Sequence, residues 1–122
     1  MNKNQKKIER RNKIRRRIRA AISGTPECPR LSVYKSSKHV YLQLINDLDN
    51  VTITSLSTKS ADLQDDLKGK SAVESAGILG EKLAERVVEQ GGKNVVFDRS
   101  GYKYHGIVKA AAEGARKGGL VF

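Results

Sequence analysis

The sequence predicts an α/β fold, a two-layer sandwich in which a four-stranded mixed sheet carries helices on one face. Three observations predict it. Segments in which apolar and polar residues alternate come first, at 30–35, 39–45 and 51–56. Two segments with helical periodicity, 71–90 and 107–117, follow them, with a short apolar segment in between. Because a strand–helix–strand crossover is right-handed, both helices should cover the same sheet face.

The size and composition indicate one folded domain behind an N-terminal arm. The chain has 122 residues, of which 38% are hydrophobic and 30% charged, as expected for a single soluble domain. We expect an arm at 1–24 and a globular domain at 25–122. No apolar run approaches the roughly 20 residues that cross a bilayer, and the basic start has no apolar core of a secretory signal. We therefore expect no membrane contact, and the single, unpaired Cys28 indicates a reducing, cytoplasmic location.

The positive charge is concentrated in the arm. Residues 1–19 hold ten basic residues and one acidic residue, a net charge of +9, whereas residues 20–122 hold 14 basic and 12 acidic residues. A basic tail on a nearly neutral body is typical of an arm that binds nucleic acid. A solvated or nuclear-localising stretch is the alternative interpretation. The basic residues are Lys3, Lys6, Lys7, Arg10, Arg11, Lys13, Arg15, Arg16, Arg17 and Arg19.

The arm also has helical periodicity. Ile14, Ile18 and Ile22 recur at the spacing of one helical stripe, and Gly24 and Pro26 end it. Several pairs of basic residues four positions apart, such as Lys6 and Arg10, repel one another, at about 0.2–0.5 kcal/mol each. We therefore predict an arm that is largely disordered alone and helical when RNA-bound, because a polyanion cancels the repulsion.

The alternating segments predict a sheet with one aliphatic and one polar face. The polar face would carry Tyr34 and Tyr41 and remain wet, as is common in antiparallel sheets. The segment 94–97 is apolar throughout, as expected of a buried parallel strand. Residues 58–70 are predicted to form an irregular loop. The aliphatic face would hold Leu31, Val33, Val40, Leu42, Leu44, Val51 and Ile53.

Capping signals delimit the two helices. Ser71 and Glu74 have the spacing of a capping box at the start of the first helix, and Gly91 follows its end. Gly118 and Gly119 end the second helix. The buried stripe of the first helix is predicted to be Val73, Ala76, Gly77, Gly80, Leu83, Ala84 and Val87.

The residues that could carry catalysis or bind a metal do not form a workable set. Cys28 is the only cysteine and has no base near it in the sequence, so neither a disulfide nor a zinc motif is indicated. His39 and His105 could in principle meet a metal with Asp98, but metal sites usually have tighter local spacing. We expect no cofactor, no metal and no enzymatic activity.

The order of strands and helices also suggests nucleases of the ribonuclease H type. Those enzymes need several carboxylates around two metal ions, one of them in the first strand. The segment Leu31 to Lys35 has no carboxylate, which argues against a nuclease.

Aromatic residues beside basic ones favour RNA over DNA. Such residues surround the first hairpin, at 34–41, and fill a second loop, at 99–105. Aromatic rings can stack on unpaired bases, and Ser, His and Gln side chains can reach 2′-hydroxyl groups. The alternative is that Tyr34 and Tyr41 only pair with each other across the strands.

Two segments carry a resemblance to a known family. Residues 98–122 read DRSGYKYHGIVKAAAEGARKGGLVF, residues 29–43 read PRLSVYKSSKHVYLQ, and a Gly-Thr pair follows the basic arm at 24–25. They closely resemble the bacterial-type ribosomal protein eighteen of the large subunit, and the Y-K-Y-H-G run beside F-D-R is specific to that family. The resemblance spans almost the whole chain, although residues 58–70 carry little signal.

The resemblance implies a non-enzymatic protein that binds 5S ribosomal RNA and helps attach it to 23S ribosomal RNA in the central protuberance. It implies neighbours that include ribosomal protein five and, in some bacteria, protein twenty-five; we expect a monomer when the chain is isolated. Besides the arm, the RNA-binding residues would be Arg30, Tyr34, Lys35, Ser36, Ser37, Lys38, His39, Tyr41, Gln43, Arg99, Tyr102, Tyr104 and His105.

Two positions depart from the family pattern. The family usually has Arg where this chain has Ile107, and Arg where it has Cys28, so we assign no RNA contact to either. The alternative function is a non-specific RNA-binding or chaperone protein, which would bind unrelated RNAs equally well.

Overall fold

A computed structural model describes residues 2–122, and Met1, the first residue of the predicted arm, lies outside them. The predicted α/β fold is confirmed: helices pack on a four-stranded mixed sheet, preceded by an N-terminal helix. The elements are α1 (Lys3–Ala21), β1 (Arg30–Lys35), β2 (Val40–Asn46), β3 (Val51–Ser57), a 3₁₀ turn (Ala61–Leu63), α2 (Gln64–Leu67), α3 (Ala72–Glu89), β4 (Val96–Asp98) and α4 (Ile107–Lys117).

Helix α1 begins with a capping box. The Asn2 side chain accepts a hydrogen bond from the backbone N–H of Gln5, and the Gln5 side chain accepts one from the backbone N–H of Asn2. These bonds satisfy two donors that a helix start leaves open. No side chain of α1 is fully buried, so this helix adds no fully buried side chain to the core. That the arm needs RNA to become helical stays a prediction, which circular dichroism with and without RNA would test.

The sheet has the order β3-β2-β1-β4. Strand β1 is antiparallel to β2, where Leu31 pairs with Leu44, and parallel to β4, where Leu31 pairs with Phe97. Leu31, Val33 and Leu42 have no exposed surface, and burying each such side chain contributes roughly 1.5–3 kcal/mol. The neighbours that alternate with them, from Arg30 onward, lie on the opposite, outer face.

Strand β3 departs from the predicted pattern. Val51 and Ile53 are predicted in the core, but they are 50% and 43% exposed, and Leu56 is the buried residue of the strand. The register shifts between Leu44 and Ile45, which pair with Thr54 and Thr52, so Ile53 has no partner on β2. A bulge of this kind shifts side chains out of simple alternation, which sequence periodicity does not show.

The segment 58–70 is more ordered than predicted. It contains the 3₁₀ turn and α2, and Leu63 is buried against the core. The predicted loop was therefore wrong for residues 61–67, because a single helical turn is too short to show periodicity.

Helices α3 and α4 pack closely on each other over the aliphatic sheet face. The predicted cap is present, since the Ser71 side chain accepts a hydrogen bond from the backbone N–H of Glu74. The prediction of a buried Val73 was wrong, because this residue is exposed. Gly77 is half-buried, and Leu79 is buried although it was not predicted. A side chain at Gly80 would meet the backbone carbonyl of Ala111, and one at Gly114 would meet that of Gly77. Glycine at these positions lets the two helices approach.

Strand β4 lies two residues later at its start than predicted, at Val96–Asp98 rather than 94–97. Asn94 instead forms a parallel bridge with Val121, and the backbone N–H of Val95 donates to the carbonyl of Val121. The C-terminal residues therefore extend the sheet beside the start of β4, a long-range pairing that local sequence cannot reveal.

The close approach of α3 and α4 gives a test. We expect Gly80→Ala to lower the free energy of unfolding by about 1–3 kcal/mol, because its methyl group would press on the α4 backbone. Gly77→Ala is the matched control in the same helix, since its methyl group meets nothing nearer than the Ala110 carbonyl oxygen at 3.8 Å. It should be neutral or stabilising by up to about 1 kcal/mol. Urea unfolding measures both, and equal effects would contradict the packing argument.

Candidate nucleic-acid interface

A buried carboxylate joins the N-terminal helix to the domain. Asp98, at the end of β4, has no exposed surface. Its Oδ2 accepts from the Arg19 Nε at 3.1 Å and from an Arg30 Nη1 at 2.7 Å, and its Oδ1 accepts from the Ser100 backbone N–H at 2.8 Å. Hydrogen bonds between charged partners are the strong ones. The last turn of α1 is thus attached to the outer face of the sheet.

Arg30 links this carboxylate to a second one. Its Nε and Nη2 donate to the two carboxylate oxygens of Asp47, each at 2.9 Å, while Nη1 donates to Asp98. The hydrogen bond with Arg30 lowers the pKa of Asp47 to about 2. The hydrogen bond to Asp47 in turn raises the pKa of Arg30, more than burial lowers it.

Arg30, which the sequence predicts as an RNA contact, is enclosed by this geometry. The residue is only 8% exposed, and all three of its side-chain nitrogens are engaged by carboxylates. Its charge is therefore used inside the fold, where it connects β1 to β4 and to the turn after β2.

The end of the arm is held at Gly24. Its backbone N–H donates to Asp47 Oδ2 at 2.6 Å, and its carbonyl accepts from the Asp47 N–H at 2.9 Å. A side chain at this position would collide with backbone atoms of Ile45 and Arg30. Only glycine lets the chain pass this close to the sheet.

The loop after β4 forms the surface on which α1 packs. Ser100 and Gly101 have positive φ angles of 55° and 82°, and a side chain at Gly101 would meet the Arg11 backbone. The Ser100 hydroxyl lies 3.0 Å from the Ser32 hydroxyl. The Ser100 backbone carbonyl accepts a hydrogen bond from Arg15 Nε at 3.3 Å. The unusual backbone of this loop therefore lets the helix lie directly against it.

Tyr102 is enclosed by the same contacts. It is 7% exposed, and its hydroxyl lies 3.3 Å from both the backbone nitrogen and the carbonyl oxygen of Lys35. The guanidinium of Arg11 lies 5.0 Å from the ring centroid and the ammonium of Lys35 lies 5.4 Å from it, which are cation–π distances. The sequence predicts that Tyr102 contacts RNA, but the structure buries its ring between the arm and β1.

A cationic cleft runs between α1 and this loop. Its volume is about 770 Å³, large enough for a segment of a polyanion. The lining contains seven lysine or arginine residues, one histidine and no carboxylate. The residues are Lys3, Asn4, Lys6, Lys7, Arg10, Arg11, Ile14, Lys35, Gly101, Tyr102, Lys103 and His105.

The outer sheet face carries the predicted tyrosine pair. Tyr34 and Tyr41 are cross-strand partners with ring centroids 5.7 Å apart. Tyr34 is nevertheless exposed and Tyr41 half-buried, so pairing with each other leaves ring surface open to a base. Gln43, on the same face, is exposed, as are Lys35, Ser36, Ser37 and Lys38 of the hairpin.

The remaining predicted residues divide into exposed and structural ones. His105 is exposed and Tyr104 is 41% exposed. His39 is half-buried, with Nδ1 at 3.1 Å from the Thr58 hydroxyl. Arg99 is half-buried and donates to the Tyr102 carbonyl at 2.6 Å, so it supports the loop. In the arm, Arg11 and Arg15 face the domain, and the other eight basic residues are exposed.

Sequence reasoning missed the carboxylates that organise this interface. In the sequence, Asp47 belongs to an ordinary turn, and Asp98 suggests only a metal ligand. Within residues 2–122, no three His, Cys, Asp or Glu side chains lie close enough to hold a metal ion. No helix among these residues is long and apolar enough to cross a membrane.

A chain that sets a cationic helix against its own sheet, with open tyrosine rings on the same face, belongs to the class of small RNA-binding proteins. Comparison with known proteins identifies the family. Residues 2–122 match the sequence model of the family described as ribosomal L18 of archaea, bacteria, mitochondria and chloroplast. The chain belongs to this family of structural proteins of the large ribosomal subunit, and it is not an enzyme.

Curated relatives agree with this assignment. The chain is 53% identical over 112 residues to the large ribosomal subunit protein uL18 of Bacillus mycoides strain KBAB4, and 52% identical to that of Bacillus cereus strain B4264. Each match covers 92% of both chains. The relatives are bacterial, and bacterial ribosomes are cytoplasmic, which agrees with the predicted location.

The buried carboxylate gives a second test. We expect Asp98→Asn to lower the free energy of unfolding by about 3 kcal/mol, because it removes one partner of a buried ion pair. Arg19→Gln is the control in the same network. Since the Arg19 side chain is 42% exposed, its loss should cost less than about 1 kcal/mol. Denaturant unfolding compares them, and equal costs would show that Asp98 acts only through the arm.

The lowered pKa of Asp47 predicts a pH dependence. The folded state holds this carboxylate charged more strongly than the unfolded chain does. Its contribution to stability is therefore present above the ordinary pKa of 3.8 and is lost as the pH falls toward 2. Asp47→Asn should flatten the fall in unfolding free energy between these pH values. Unfolding curves across this range measure how steeply the unfolding free energy falls with pH. If the variant and the native chain have the same slope, Asp47 is not the group responsible.

Proposed function

We propose that this protein binds 5S ribosomal RNA and helps attach it to 23S ribosomal RNA in the central protuberance. The observation that carries the proposal is the cationic cleft between α1 and the loop after β4. Seven lysine and arginine side chains converge there with no carboxylate among them. Neutralising phosphates at such a site releases condensed counterions, which drives binding and makes it depend on salt.

The helical arm arranges its charges for contact with an RNA backbone. Lys3, Lys7 and Arg10 are three or four positions apart, so they form one row along the helix beside the cleft. Lys35 and Lys103 line the cleft from the domain side. A phosphate backbone lying in the cleft would be held from two sides, which a flexible basic tail alone could not provide.

The outer sheet face supplies contacts that could distinguish RNA from other polyanions. The open ring surface of Tyr34 and Tyr41 suits an unpaired base, and Gln43 and Ser36 can reach 2′-hydroxyl groups. Because this face is continuous with the outer-face contacts of α1 through Ser32 and Ser100, one RNA could engage both. An RNA that fits both the outer sheet face and the cleft beside α1 would be bound through its shape. This favours binding of one specific RNA over non-specific RNA binding.

The proposed interface is narrower than the sequence suggested. It leaves out Arg30, Tyr102 and Arg99, whose side chains hold the fold together. We also propose that the arm, 1–24, meets the globular domain, 25–122, at the hydrogen bonds of Gly24 with Asp47. Proposed RNA contacts are Lys3, Lys6, Lys7, Arg10, Arg11, Lys13, Arg15, Arg16, Arg17, Arg19, Tyr34, Lys35, Ser36, Ser37, Lys38, His39, Tyr41, Gln43, Tyr104 and His105.

Protein neighbours belong to the same proposal. On the ribosome the chain would lie beside ribosomal protein five and, where present, protein twenty-five. Exposed residues outside the proposed RNA contacts remain available to these neighbours. We expect the isolated chain to be a monomer.

The experiment that tests the function is a binding series with 5S ribosomal RNA and a length-matched unrelated RNA at several salt concentrations. We expect a preference for 5S RNA that survives near physiological salt, because the sheet face contributes shape recognition. Lys7→Gln with Arg10→Gln should weaken binding to both RNAs. It should also lower the salt-dependence slope by about 0.7–0.9 for each phosphate that the variant no longer neutralises.

The matched control removes two charges from the helical layer on the other side of the sheet, Lys82→Gln with Lys117→Gln. This pair should leave both the slope and the 5S preference unchanged. If the two RNAs bind with equal affinity, and both affinities fall alike as the salt concentration rises, the specific function is overturned. That result would favour the alternative of non-specific RNA binding.

A further inference from the structure

The two edges of the sheet differ in how they are protected. Strand β4 has three residues, and the C-terminal segment pairs beside it through Asn94 and Val121. Strand β3, at the other edge, has seven residues, Val51–Ser57, with no charge and no proline among them. Edge strands in soluble proteins are usually short, charged or interrupted by proline, because an open edge pairs with other chains. Strand β3 lacks these three protections, although its pairing with β2 contains a bulge, another feature of protected edges.

Apolar side chains are exposed along this edge. Leu48, in the turn before the strand, is 68% exposed, and Val51 and Ile53 are half-exposed. The bulge leaves Ile53 without a partner on β2. Only the end of the strand has a cover, where Arg86 Nη1 donates to the Ser55 carbonyl at 3.4 Å. The first half of β3 therefore presents open backbone together with open apolar surface.

The charge around β3 is opposite to that of the whole chain. No lysine or arginine occurs between Lys38 and Lys59, although the chain has a net charge of +11. Phosphate groups would be repelled by the carboxylates here, and a cationic protein segment would be attracted. The carboxylates are Asp49 in the turn before β3, and Asp65 and Asp66 in the turns after it. Asp47 and Asp62 lie nearby, but Asp47 is paired with Arg30 and Asp62 is 3.8 Å from Arg86.

We propose that β3 is a docking edge for an extended, Lys- and Arg-bearing segment of another protein of the large subunit, added to the sheet as a fifth strand. Main-chain hydrogen bonds provide affinity in such strand addition, and side-chain contacts provide specificity. Leu48, Val51 and Ile53 would contact apolar side chains of the segment, and Asp49 its cations. Because β3 and β4 are opposite edges of the sheet, protein would be bound at the end farthest from the proposed RNA cleft.

A photocrosslinking experiment in assembled large subunits tests this. The chain carries p-benzoylphenylalanine in place of Ile53, or in place of Val73 as a control of similar exposure on α3. We expect a light-dependent crosslink from position 53, absent from position 73, to a segment of another ribosomal protein with more basic than acidic residues, identified by mass spectrometry. A crosslink to ribosomal RNA, to a second copy of this chain, or to no partner would overturn the proposal.

A charge variant gives an independent readout. Val51→Lys with Ile53→Lys should repel a basic segment, and we expect these variants to be washed from large subunits by salt several-fold more readily than the native chain. Val73→Lys with Val88→Lys adds the same charge at exposed positions of α3 and should not. Affinity for isolated 5S RNA, measured on the same samples, should be unchanged for both pairs. Equal retention of the two pairs would also overturn the proposal, whatever the RNA affinity proves to be.

Discussion

Asp98 is a carboxylate without exposed surface, and it is held by the guanidinium groups of Arg19 and Arg30 and by the Ser100 backbone N–H. Burying a charge is costly unless its partners are in place. All of the elements that supply those partners must therefore be positioned together: β4 for the carboxylate, β1 for Arg30, the last turn of α1 for Arg19. Through Arg30, the turn that contains Asp47 is included as well. This network fixes the last turn of the basic arm on the domain.

By attaching α1 to the sheet, the network gives the basic side chains of the arm a defined orientation. Ten cations in a flexible tail would attract any polyanion. Helix α1 instead packs on Ser100, Gly101 and Tyr102 and places five of its cations along one side of a cleft. Three of the ten, Arg11, Arg15 and Arg19, are used partly to hold the helix in place. The other end of the sheet has the opposite character, uncharged and flanked by carboxylates. The molecule is thus polarised, with a cationic end and an end suited to protein contact.

Much of the fold could be predicted because its signals are local. The alternation at Leu31 and Val33, the cap at Ser71 and the glycines after the helices each act within a few residues, and the structure has the expected elements. The misplaced residues have a different cause. The exposure of Val51 and Ile53 depends on a bulge in the pairing of β3 with β2, and Val73 is exposed in the first turn of α3. The candidate site divides in the same way: the exposed arm cations follow from composition, but the enclosure of Arg30 and Tyr102 does not.

By itself, the sequence determined the class of fold, the position of the charge and the family, because periodicity, net charge and motifs are properties of the chain read in order. Tertiary structure alone decided which cations are free and which are engaged. Arg30 meets Asp47 and Asp98, 17 and 68 positions away, and Tyr102 meets Lys35, 67 positions away. Whether a polar side chain faces solvent or a buried partner is set by contacts between distant segments, and only the folded chain brings those segments together.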